Sequence, residues 1–255
     1  MKKSLKDVRS RQEKIVEYLK ANKTCNVKDL VNLLDVSLPT IRRDLDYLYS
    51  NNIIERYYGG AALLSATDSD FLQHPLELSK NSIAKQAASM INDHDIVFIN
   101  SSSTALSILK YLADKRVTII TNNANAIHYD SSPNVQIILT GGELRVPKHA
   151  LVGDVAIDTL NKITANKCIL GCNGISAEAG LTTKNISEVT VNELMISKTI
   201  ETKIVVCDSA KIGIASNFKA VGIESIDYII TNKGCDENEL EHIQDKLVKV
   251  IQLDC

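Results

Sequence analysis

The sequence predicts two folds in series: an α+β winged helix-turn-helix over residues 1–62 and, beyond a linker at 63–79, an α/β domain over 80–255. Three observations predict it. Three short N-terminal segments show helical spacing, with a tight turn between the last two. The remainder alternates β-branched runs with helical stretches, the pattern of a mainly parallel sheet covered on both faces. Charge also divides the chain. Residues 1–62 carry 12 Lys or Arg against 8 Asp or Glu, and residues 63–255 carry 17 against 23, a basic head on an acidic body. With 44% hydrophobic residues but no Trp, the cores must be built from Ile, Leu, Val and Ala.

Val8, Ile15, Val16 and Leu19 place a first helix over Val8–Lys20, and Val27, Leu30, Val31 and Leu34 a second over Val27–Leu34. Ser37 is a natural N-cap, and Pro39 sits in the first turn, where its missing N–H costs nothing. The third helix runs from Leu38 to about Asn51 with Ile41, Leu45 and Leu48 inward. Its other face carries Ser37, Thr40, Arg42 and Arg43. A guanidinium can take guanine bidentately or grip a phosphate, and hydroxyls suit either task. Ile53–Ala61 reads as a hairpin turning at Gly59-Gly60, with Arg56 available to a phosphate. Ser37, Thr40, Arg42, Arg43 and Arg56 are therefore the expected DNA-binding residues. On periodicity alone, the solvated face of an ordinary helix is the alternative.

Beyond the turn-prone Ser65–Asp70, strands are expected at Ile96–Ile99, Val117–Thr121, Val135–Leu139, Cys168–Leu170, Lys203–Cys207, Tyr228–Thr231 and Val248–Leu253. Helices are expected at Ser82–Met90, Thr104–Leu112, Ala124–Asp130, Ile157–Leu160, Glu188–Lys198 and Asn238–Leu247. Ligands of such sheets bind where strands lead into helices. There the sequence offers Asn100, Ser101, Ser102, Ser103 and Thr104, then Asn122, then Gly141 and Gly142, then Asp208-Ser209-Ala210-Lys211. Hydroxyls, amides, glycines and one ammonium converge on phosphate better than on other common groups. Taken singly, a serine cluster is an ordinary loop and a Gly-Gly pair an ordinary turn.

The run Val36-Ser37-Leu38-Pro39-Thr40-Ile41-Arg42-Arg43-Asp44-Leu45, followed by Arg56 and Gly59-Gly60-Ala61, resembles the V-S-x-x-T-I-R-R-D-L and R-x-x-G-G-A signature of the DeoR family of bacterial sugar-metabolism repressors. The resemblance continues through the C-terminal part. Asn100–Thr104 corresponds to a family D-S-G-T-T, Thr121-Asn122 to T-N, and Gly141-Gly142 to G-G. Gly180-Leu181-Thr182 corresponds to G-L-T and Asp208–Gly213 to D-x-S-K-x-G, while Lys80 before Ile83-Ala84 matches a pocket lysine. The resemblance implies a sensor domain related to ribose-5-phosphate isomerase and glucosamine-phosphate deaminase. It also implies an effector that is a phosphorylated sugar, and a homo-oligomer, dimer or tetramer. Asp44 would order the basic face rather than touch bases. Four positions depart from the pattern: Asn100 stands for Asp, Ser102 for Gly, Ala210 for Ser, and Asn192 for a basic residue.

No cofactor is expected, because neither G-x-G-x-x-G nor a P-loop occurs. No metal is expected either: His74, His94, His128, His149 and His242 lack ligand spacing, and the six cysteines form no C-x-x-C pair. No apolar run reaches the roughly 18 residues of a membrane span, and the charged start, Met1–Lys20, points to a cytoplasmic protein. Glu143, Glu188, Asp208 and Lys211 could in principle shuttle protons on a sugar phosphate. A DNA-binding head would be idle on such an enzyme, so the expectation is a regulator that reads a double-stranded operator.

Overall fold

The computed structural model describes residues 5–50, 53–57, 59–63, 75–129, 132–146 and 148–254. The chain divides into two compact units, Met1–Leu76 and Glu77–Cys255. The boundary expected at Ser65–Asp70 lies outside the described residues, as do Tyr58 of the hairpin and Asp130 of an expected helix.

The first unit runs α1 (Leu5–Asn22), β1 (Thr24–Asn26), α2 (Val27–Leu34), α3 (Leu38–Ser50), β2 (Ile54–Tyr57) and β3 (Gly60–Leu63). Asn26 caps α2 by accepting from the Lys28 N–H at 3.2 Å, and Asp35 ends it in the left-handed region at φ 45°. Ile15 and Leu19 of α1, Leu30 of α2, and Ile41, Leu45 and Leu48 of α3 close one core with Ile54 and Ala61 of the hairpin. Each such aliphatic side chain contributes about 1.5–3 kcal/mol. The hairpin gains a third strand that the sequence did not suggest, because β1 pairs antiparallel with β3. Three residues, Thr-Cys-Asn, are too few to show alternation.

The second unit opens with α4 (Pro75–Ser89) and β4 (Ile96–Ile99), followed by α5 (Ser103–Leu106), which tightens into a 3-10 turn at Ser107–Tyr111. β5 (Val117–Thr121), a 3-10 turn at Ala124–His128 and β6 (Val135–Leu139) come next. The expected helices at Thr104–Leu112 and Ala124–Asp130 are thus largely 3-10. In the first, Ser107 Oγ donates to the Ser103 carbonyl at 2.8 Å, a back-bond that competes with α-helical pairing. A hairpin, β7 (Glu143–Arg145) and β8 (Ala150–Val152), leads to α6 (Asp154–Asn161) and β9 (Ala165–Gly171). Then follow β10 (Gly174–Ser176), β11 (Gly180–Thr183), a 3-10 turn at Ile186–Glu188 running into α7 (Val189–Ser197), and β12 (Thr199–Val206). The chain completes with β13 (Phe218–Val221), β14 (Tyr228–Asn232), α8 (Glu237–Asp245) and β15 (Lys249–Leu253).

Seven strands form one sheet in the order β15-β14-β12-β9-β4-β5-β6, parallel throughout. Successive residues serve opposite faces. Val97 and Ile99 meet Ile83, Ala84 and Ala87 of α4, while Phe98 and Leu170 meet Val191 and Met195 of α7 and Ile243 of α8. Strand order reverses between β4 and β9, the position at which ligands bind in open α/β sheets. That strand pair is fastened at both ends. At its foot the buried Lys167 ammonium meets Asp95, and at its top Asn100 clasps Gly171. A small antiparallel sheet, β10-β11-β13, lies beyond the strand tops.

Candidate functional site

In the first unit Arg42 and Arg43 are exposed on α3, with Ser37 exposed and Thr40 half-buried at its start. The Ser37 and Thr40 hydroxyls are 2.8 Å apart and share a hydrogen bond. Arg56, on β2, is ion-paired with Asp46 of α3. Asp44 is buried and faces away from the arginines beside it. It accepts from both Nε and Nη2 of Arg11, the latter at 3.0 Å, and from Gln12 Nε2 at 3.3 Å. A bidentate guanidinium–carboxylate pair fixes direction as well as distance, so Asp44 ties α3 to α1 from behind. The sequence carried the Asp but gave no sign that Arg11 was its partner.

In the second unit the polar residues at the strand tops form a ring around the switch point. Asn100 Oδ1 accepts from the N–H groups of Gly171 at 3.0 Å and Ser102 at 3.2 Å. Its Nδ2 donates to the Gly171 carbonyl at 2.8 Å and to Asn192 Oδ1 at 3.0 Å. One helical turn before Asn192 lies Glu188, buried, whose carboxylate takes two bonds from Lys148 Nζ at 3.0 and 3.2 Å and one from Thr183 Oγ1 at 3.1 Å. The Lys148 carbonyl accepts from Asn125 Nδ2 at 3.4 Å, which also donates to Asn123 Oδ1 at 3.0 Å. Asn123 Nδ2 reaches the Ser102 carbonyl at 3.5 Å and so closes the ring.

Of the expected ligand residues, Ser102 is the one these hydrogen bonds bring into the ring. Ser101 is buried, Ser102 and Thr104 half-buried, and Ser103 exposed. Ser102 Oγ accepts from the Ala105 N–H at 3.3 Å, capping α5. Its side chain occupies the space that Gly171 leaves open, since a Cβ on Gly171 would fall 2.0 Å from Ser102 Oγ. Asn122 donates to the Leu151 carbonyl at 3.1 Å, and its Oδ1 is buried with no hydrogen-bond partner among the described residues. Gly141 and Gly142 take φ of 71° and 110°. The close approach at Gly142 is to the hairpin: a Cβ there would meet the Val152 carbonyl oxygen at 2.4 Å. Lys80 is half-buried on α4, on the element that covers the face of Val97 and Ile99. Lys211 is half-buried in a 3-10 turn at Ser209–Lys211.

The cysteines report the local charge. Register places Cys172 and Cys207 abreast, one residue past the paired Gly171 and Val206. The hydrogen bond from Cys207 holds the Cys172 thiol below its ordinary range against the effect of burial, with the Lys211 and Lys148 ammonium groups acting in the same direction. Both lysines therefore direct positive charge at the top of β9. By contrast, burial pushes the Cys168 thiol, lower on the same strand, up to about 12. Lys148 and Asn125 were missed by sequence reasoning, whereas Asn123 directly follows the expected Asn122 at the end of its strand. The two missed residues sit in loops and turns, and nothing local marks them as neighbours of Ser102 or Glu188. Among the described residues no group of three or more His, Cys, Asp or Glu could hold a metal ion, and no helix is long and apolar enough to cross a membrane.

Residues 11–67 match the DeoR-like helix-turn-helix domain, and residues 77–233 match the DeoR C terminal sensor domain. The chain is 32% identical over 242 residues to the HTH-type transcriptional regulator GolR of Listeria innocua, covering 92% of this chain and 94% of that protein. It is 31% identical over 251 residues to a putative aga operon transcriptional repressor of Escherichia coli, covering 94% and 92%. Among solved structures, ribose 5-phosphate isomerase A of Methanocaldococcus jannaschii superposes at a TM-score of 0.37 with 13% identity over 52% of each chain. A likeness at that level carries no argument about function.

Proposed function

The chain belongs to the DeoR family of transcriptional regulators, and from that premise we propose that it represses a carbohydrate-utilisation operon and is released from its operator by a phosphorylated sugar. In this reading residues 1–62 hold the DNA, 63–79 link, and 80–255 bind the effector and join the copies. Arg42 and Arg43, with Ser37 and Thr40, enter the major groove, and Arg56 exchanges Asp46 for a backbone phosphate.

The observation that carries the effector half of the proposal is the polar ring at the β4–β9 switch point. It combines a hydroxyl, carboxamides, one carboxylate and one ammonium group at the place where a parallel sheet receives ligands. Ser101–Thr104 and Lys211 suit the phosphate. Asn122, with its buried unpartnered Oδ1, suits a sugar hydroxyl. The naming of a similar protein as a putative aga operon transcriptional repressor supports the repressor role.

The test is a gel shift on the DNA upstream of the chain's own gene, titrated with pentose, hexose and triose phosphates. One compound should release the DNA. Lys211→Ala should bind the same DNA as tightly as the parent but need at least tenfold more of that compound. If no phosphate in the panel affects release, or if Lys211→Ala responds as the parent does, the effector assignment is wrong.

A further inference from the structure

The Lys148–Glu188 ion pair closes one side of the ring but has so far been given no part in holding the phosphate. Glu188 is 5% exposed. Its donors are Lys148, from the loop between β7 and β8, and Thr183, from β11. The lysine is different in kind: its side chain is 44% exposed, so the ammonium can be reached from solvent while the carboxylate cannot. The residue that follows Lys148 is held in shape. His149 lies in the left-handed region at φ 54°. Its Nδ1 is 2.7 Å from Asn125 Oδ1, and its carbonyl accepts from the Ala124 N–H at 2.9 Å. A bulky residue keeps that conformation only where its surroundings impose it. A second contact, Arg145 Nη1 to Ser187 Oγ at 2.9 Å, ties the same hairpin to the turn ahead of α7.

We propose that Lys148 and Glu188 are the residues that read the effector. Lys148 turns from Glu188 to the effector's anionic group, and the effector's hydroxyls take over the carboxylate. This rests on the reading that a phosphorylated polyol occupies the ring. The chemistry follows from Glu188's burial. A carboxylate withdrawn from water cannot lose its ammonium partner unless another donor replaces it. Inorganic phosphate is a poor replacement, because its few P–OH donors come with a second anion set beside the carboxylate once it takes Lys148. A molecule with hydroxyls on one side and a phosphate on the other replaces both halves of the ion pair. The pair therefore selects for polyol phosphates over free phosphate, whereas Lys211 and the serine loop attract either.

The test uses the intact protein with calorimetry and thermal melting. The probes are inorganic phosphate and a panel of glycerol 3-phosphate, ribose 5-phosphate, fructose 6-phosphate and glucose 6-phosphate. The variants are Lys148→Met, Glu188→Gln and the double variant. The parent should bind at least one polyol phosphate a hundredfold more tightly than inorganic phosphate. Each single variant should lower the melting temperature and weaken that compound at least tenfold, and Glu188→Gln should narrow the preference over inorganic phosphate. The double variant separates the roles. A purely structural ion pair predicts that removing both charges restores melting and binding together. A reading pair predicts that melting recovers while binding stays at least tenfold weak. If the double variant binds as the parent does, or if the singles leave binding unchanged, this proposal fails and the phosphorylated-sugar reading stands. If no panel compound binds the parent, both fail.

Discussion

Asp44 lies next to Arg42 and Arg43 in α3 and does the opposite job, because it points inward to Arg11 while they point to solvent. Removing the Asp44 carboxylate takes from the nearly buried Arg11 guanidinium its bidentate partner. Asp44→Ala should therefore destabilise the N-terminal unit by about 3 kcal/mol. Arg42→Ala and Arg43→Ala should leave melting within about 0.5 kcal/mol of the parent while at least one weakens operator binding by about 1–3 kcal/mol. Calorimetric melting and gel-shift affinity, measured on the same three variants, check both halves. Equal losses of stability across all three would refute the division. The residue scale also explains two departures from the family pattern. Asn100 and Asn192 touch each other at 3.0 Å. Where the pattern has an acid and a base, this chain has two carboxamides, and donor still faces acceptor. Ser102, which stands for a glycine, is accommodated because Gly171 has no side chain opposite it. Neither match is visible along the chain, since 71 residues separate Asn100 from Gly171 and 92 separate it from Asn192.

Among the elements, the β7–β8 hairpin has the most delicate support. Its approach to the sheet depends on Gly142, whose φ of 110° and 2.4 Å clearance to the Val152 carbonyl leave no room for a methyl group. Gly142→Ala should destabilise the second unit by roughly 2–5 kcal/mol, strain and overpacking together. Amide exchange should locate the fraying at 143–152, and full protection there would refute the argument. The seven strands of the main sheet were legible from their β-branched runs, with ends displaced by a few residues. The hairpin and the β10-β11-β13 sheet were not, because strands of three and four residues are too short to carry a period. The same gap hid Lys148 of the ring. The serine loop and Lys211 stand at ends of main-sheet strands and could be anticipated, whereas Lys148 stands in the unforeseen hairpin.

At the scale of the whole molecule, one recognition helix covers too little DNA for tight, specific binding, and two-fold sites are the usual solution. The intact protein should scatter light as a dimer or a larger even assembly, free and on DNA. A monomer in both states would refute this. The two-unit organisation was legible because the basic, helix-turn-helix head and the strand-helix body differ in both charge and period. The parallel sheet has a consequence for how the chain is born. Val97 of β4 pairs with Lys167 of β9, 70 residues later. At about 5–20 residues per second a ribosome needs roughly 4–14 s to supply that partner. The head's own strands pair between residues 24 and 63, and such local contacts form in milliseconds or less. For several seconds each nascent chain therefore carries a finished DNA-reading head ahead of a sensor that cannot yet answer to any effector. Over the same interval the Ile-Val-Phe-Ile edge of β4 stands open to pairing with the wrong strand.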